Sequence, residues 1–71
     1  MATKLEQELA NYTVDQQEGR FQSLVGINDN KAIVFDIEDN KIVKRFKDGE
    51  SAWSNAARFA SDLSVKHRFS H

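Results

Sequence analysis

The sequence predicts a small α+β domain: an N-terminal helix, a three-stranded antiparallel β-meander, and a C-terminal amphipathic helix packed on one face of the sheet. Three observations predict it. Residues 21–47 alternate between apolar and polar side chains and are rich in β-branched and aromatic types, the pattern of half-buried strands. The alternation breaks at Asn28-Asp29-Asn30-Lys31 and at Asp39-Asn40, where the residue types favour turns. After Gly49 the apolar period changes from two to helical, with Trp53, Ala56, Ala57, Ala60 and Leu63 on one stripe. The 71 residues are read as one domain, divided into 1–19 (a polar helix or partly flexible arm), 20–47 (the meander), 50–65 (the helix) and 66–71 (a basic tail).

The first helix is predicted from Thr3 and Glu6, which have capping-box spacing, and from Leu5, Leu9 and Tyr12, which fall at i, i+4 and i+7. Gly19 is its stop in this reading. The stretch from Thr13 to Glu18 fits poorly, because Val14 is its only apolar residue. The strands follow from Phe21, Val25 and Ile27, then Ile33, Phe35 and Ile37, then Ile42 and Phe46. A three-residue loop at Asp29–Lys31 pairs Ile27 with Ile33, and a two-residue turn at Asp39-Asn40 pairs Ile37 with Ile42. Those registers place all eight apolar residues on one face, under the helix stripe. The opposite face is then mostly polar, with Leu24, Val34 and Val43 as an apolar patch. Asp48 or Ser51 is the expected N-cap of the last helix, and Glu50 suits its positive end.

Composition bounds the function. A chain this short buries only about 60% of its unfolded surface, and such domains usually lean on a staple or a partner. It has no cysteine, hence neither a disulfide nor a cysteine-based zinc site. No apolar run approaches 18 residues, so no membrane span is expected, and the start carries no apolar signal region. The simplest localisation is cytoplasmic. The net charge of -1 is unevenly placed. Residues 1–20 hold two basic against four acidic side chains, whereas residues 51–71 hold Arg58, Lys66 and Arg68 against Asp62.

No stretch specifies a chemistry. Asp36 ends an apolar run, as a nucleophilic aspartate does, with Glu38 two residues on, but no glycine-rich sequel or phosphate-binding groups accompany it. His67 and His71 are four apart and could share one side of a helix, yet two ligands fall short of a zinc site. Asn28-Asp29-Asn30 lacks the longer ligand series of a calcium loop, and turn chemistry accounts for it. No catalytic residue, metal or cofactor is therefore assigned.

Two readings of function remain. The first is a small non-enzymatic protein-interaction module or accessory protein, binding a larger protein or a second copy of itself through Leu24, Val34 and Val43 or by strand addition at an uncovered sheet edge. The alternative is nucleic-acid binding through Lys44, Arg45, Lys47, Arg58, Lys66 and Arg68. The acidic residues Asp36, Glu38 and Asp39 oppose the second, and edge lysines are also an ordinary guard against aggregation.

Overall fold

The computed structural model describes residues 3–47, 49 and 51–69. Its elements are α1 (Lys4–Leu9), β1 (Tyr12–Glu18), β2 (Phe21–Gly26), β3 (Ala32–Asp36), β4 (Lys41–Phe46) and α2 (Ser51–Phe69). The strands form a four-stranded antiparallel meander in the order β1-β2-β3-β4, and α2 lies across one face, touching all four. The α+β architecture with a helix on the sheet is as the sequence predicts. The strand count is not.

The extra strand comes from the N-terminal segment. Thr3 caps α1 as its spacing suggests, accepting a hydrogen bond from the Glu6 amide at 3.1 Å. The helix then stops after Leu9, with Ala10 as its C-cap. Tyr12, Thr13 and Val14 are good strand formers, and they pair with Gly26, Val25 and Leu24. Gly19 does not end a helix. It opens a two-residue turn with Arg20 at φ 62, the left-handed region that glycine enters without a Cβ clash.

Both other registers also differ from expectation, for one physical reason. Each connection is longer than expected, spanning 27–30 in place of a three-residue loop and 37–40 in place of a two-residue turn. Gly26 N–H donates to Lys31 C=O at 2.8 Å, so the loop spans 27–30 and Val25 opposes Ala32. The last turn spans 37–40, with Asp36 opposite Lys41 and Asn40 at φ 53. Val25 thus meets a residue three positions away from the expected Phe35. An odd shift sends β3 to the other face.

The sheet is consequently buried on both sides. Under α2 lie Phe21, Val25, Ala32 and Val34, with Val43 and Phe46 half-buried beside them. On the other face Leu24, Ile33 and Phe35 pack with Leu5 and Leu9 of α1, Tyr12 and Ile42. The expected patch of Leu24, Val34 and Val43 does not exist: Leu24 lies on the α1 face, while Val34 and Val43 lie on the α2 face, where Val34 is fully buried. Ile27 and Ile37, expected in the core, sit in the connections and are exposed.

Helix α2 presents Ala52, Ala56, Ala60 and Ser64 to the sheet, at strict i, i+4 spacing. The stripe is rotated from the expected one. Trp53 is 42% exposed, and Ala57 and Leu63 are half-buried. The sheet face already carries large side chains, so the smallest residues of the helix must face it. At the far end a Cβ on Gly19 would come within 2.8 Å of the Ser64 hydroxyl, which shows how closely the helix approaches the first turn. The helix continues to Phe69, so residues 66–69 of the expected tail are helical. The capping roles expected of Asp48 and Glu50 lie outside the described residues.

Ala56→Leu should destabilise the fold by about 1–3 kcal/mol in urea unfolding, because Ala56 is fully buried against the sheet and the added carbons must displace their neighbours. Ala57→Leu, one residue along and half-buried, should cost clearly less.

Candidate functional site

Two features of the surface are built by specific residues: an ionic cluster at the turns, and the two outer edges of the sheet. The cluster centres on Arg20. Its Nε and Nη2 donate to the two carboxylate oxygens of Asp36 at 2.9 and 2.7 Å. Asp36 also accepts from the backbone N–H groups of Glu38 and Asp39 at 3.0 and 3.1 Å. The Asp39 carboxylate lies 3.2 Å from the same guanidinium, and Arg20 Nη1 approaches His67 Nε2 at 3.0 Å. His67 in turn meets the Phe21 ring edge-on. One side chain thereby ties the β1–β2 turn to the β3–β4 turn and to the last turns of α2.

Asp36 is buried, and its pairing with Arg20 lowers its pKa below the ordinary aspartate value of 3.8, helped by the two backbone donors and opposed by burial. All four of these donors hold the turn, so the carboxylate serves as a structural anchor. Glu38 is exposed, and its carboxylate lies 3.8 Å from Arg20 Nε. His67 lies in this cluster, whereas His71 lies outside the described residues. No group of three or more metal-ligating side chains occurs among the described residues. In the 27–30 loop, Asp29 Oδ1 accepts from the Lys31 amide at 3.1 Å, a local turn contact.

The six basic residues of the nucleic-acid reading do not converge. Lys44, Arg45 and Lys47 border an open groove of about 460 Å³ with Phe46, Ala52 and Asn55. The Arg45 guanidinium, however, binds both carboxylate oxygens of Glu8 at 2.9 and 3.0 Å and holds the Glu8 pKa down. Arg58 is on the exposed surface of α2. Lys66 and Arg68 lie roughly 20 Å along the helix from Ala52, at 1.5 Å per residue.

The edges follow from the ladder. Ile27 N–H donates to Asn11 C=O at 3.0 Å, which makes that pair hydrogen-bonded. Bonded and non-bonded pairs alternate in an antiparallel ladder, so the Tyr12 and Val14 backbones point away from β2. Gln17, one step from the closed pair Glu18–Phe21, does the same beyond an irregularity at Asp15. On β4 the residues opposite Ile33 and Phe35, namely Arg45 and Ile42, point outward, since Ile33 and Phe35 bond to β2. An extra residue, Val43, separates them. Sequence reading missed the β1 edge altogether. The only local hint is the run Tyr12-Thr13-Val14 with Gly19 ahead of Phe21, which is too short and too polar beyond Val14 to mark a strand by itself.

The edges differ in charge. β4 carries Lys41, Lys44 and Arg45, with Lys47 just beyond, whereas β1 carries Asp15 and Glu18 and no cation. Val14 on β1 is 51% exposed. Among the described residues no helix is long and apolar enough to cross a membrane. The chain matches no protein-family model, no curated protein and no solved structure.

Asp36→Asn should lower the urea midpoint at neutral pH. The sign of its pH dependence follows from the depressed pKa: the Asp36 contribution is complete above the unfolded value near 3.8 and is lost as pH falls through the lower folded value. The wild type should therefore lose stability below about pH 4 more steeply than the variant. Parallel acid titrations followed by circular dichroism would check this.

Proposed function

We propose that the protein is a small non-enzymatic interaction module that binds a protein partner by strand addition at β1. The observation that carries this reading is the outer edge of β1. It offers three outward backbone positions, at Tyr12, Val14 and Gln17, beside an exposed Val14 side chain. An extended segment laid along this edge gains main-chain hydrogen bonds for affinity and side-chain contacts for selectivity. The opposite edge is lined with lysines, the ordinary defence of a sheet edge, whereas β1 has only its bulge and two acidic residues. The reading does not use Leu24, Val34 and Val43, which belong to the two cores. Nucleic-acid binding has less support, because its six basic residues spread over both faces and both ends of α2. A cysteine-free sequence suits action in the reducing cytoplasm.

Val14→Pro tests the proposal. The Val14 N–H points away from β2, so proline at this edge removes a donor for a partner without breaking the internal ladder. Peptides selected for binding from a random library should protect the Tyr12, Val14 and Gln17 amides from hydrogen exchange, and Val14→Pro should weaken them at least tenfold. Selected peptides that bind the variant equally well, or that protect α2 instead, would overturn the reading.

A further inference from the structure

We infer that the strand accepted by β1 is β4 of a second copy of this chain, in a single register, so that copies join head to tail in one continuous sheet. The inference rests on the strand-addition reading above and names its partner.

The topology permits it directly. In a four-stranded antiparallel meander the first and last strands run in opposite directions. A second copy in the same orientation therefore extends the sheet with an antiparallel ladder. It also leaves its α2 on the same side as the first.

The backbone specifies the register. Each edge strand carries one extra residue, so its outward positions in that region stand three apart rather than two. They are Val14 and Gln17 on β1, and Ile42 and Arg45 on β4. Antiparallel pairing of Val14 with Arg45 and Gln17 with Ile42 matches the two irregular edges, whereas a regular edge strand would fall out of step after one pair. Tyr12 then faces Lys47 of the next copy.

The charges agree independently. The same register sets Asp15 opposite Lys44 and Glu18 opposite Lys41 of the next copy. Glu18 and Lys41 share the α2 face, because Glu18 pairs with Phe21, Phe21 with Asp36, and Asp36 with Lys41. Asp15 and Lys44 share it too, through the bulges opposite Ser23 and Val34. Opposite charges across a ladder attract. Joining β1 to β1 would bring acidic residues together, and joining β4 to β4 would bring lysines together. The lysines that repel another basic edge thus select an acidic one. Such an interface is heterologous and leaves a free edge at each end, so assembly is open-ended. Its ion pairs are exposed and weaken with salt.

Sedimentation velocity of the full chain should show mass rising with concentration from the micromolar to the millimolar range, and falling in high salt. The double variants Asp15→Lys/Glu18→Lys and Lys41→Glu/Lys44→Glu, checked for folding by circular dichroism, should each associate at least tenfold more weakly. An equal mixture of the two should recover assembly, because each then offers the other a complementary edge. Since the chain has no native cysteine, Asp15→Cys mixed with Lys44→Cys should form a heterodimeric disulfide on mild oxidation, in preference to either homodimer. A wild type that stays monomeric throughout would overturn the inference. So would charge-reversed variants that assemble alone as well as wild type, or a cross-link dominated by Asp15→Cys homodimers. A monomeric wild type whose β1 still binds selected peptides in a Val14-dependent manner would sink only the self-association. Loss of that peptide binding as well would remove the strand-addition reading with it.

Discussion

The close contact between the small-residue stripe of α2 and the sheet is the constraint on which the structure depends. Ala52, Ala56 and Ala60 are almost completely buried, and Ser64 continues their line to the first turn. A chain of 71 residues without a disulfide has little volume to enclose, so it gains stability by bringing backbones together over short side chains. The aromatic bulk comes from the sheet and the helix flank instead, where Phe46 meets Phe59 edge-on with ring centres 5.9 Å apart. The helix cannot rotate toward Trp53, because an indole does not fit where an alanine now sits. Its tight seat also fixes Gly19 against Ser64, and with it the turn that carries Arg20.

Arg20 extends that constraint across the end of the sheet. Its paired contact with Asp36 joins the two hairpin turns at one end, while its His67 contact holds the end of the helix. On the other face, Arg45 and Glu8 fasten α1 to β4 in the same paired way. These contacts use the arginines for internal purposes. The other edge charges are Asp15 and Glu18 on one side and lysines on the other, where Lys41 stands 3.9 Å from Asp39 and Lys44 lies over the Phe46 ring. The strand-addition reading and the inferred self-assembly draw on those edge charges. Neither needs a pocket or a cofactor.

β1 changes more than the strand count. A three-stranded sheet would end in two parallel-running edges, and a copy added in the same orientation could not continue an antiparallel ladder. The fourth strand makes the two edges antiparallel, and the bulges give both the same spacing of outward backbone groups. The irregularities that weaken pairing inside the sheet therefore become the features that select a partner outside it.

The sequence by itself determined the α+β class, the strand character of residues 21–26, 32–36 and 41–46, the Thr3 cap and the existence of a long C-terminal helix. These are set by short-range causes: alternation, turn chemistry, capping and helical period. Only the tertiary structure decided that Tyr12–Glu18 is a strand, because its mostly polar side chains carry little hydrophobic signal and it is held chiefly by pairing with β2. The same holds for the faces. A β2–β3 loop one residue longer than expected shifted β3 by an odd number, moving Ile33 and Phe35 to the α1 side and burying Leu24 and Val34 in separate cores. Local sequence marks where a turn occurs, but its length is settled by which register buries both faces at once, and that is a property of the whole packed sheet.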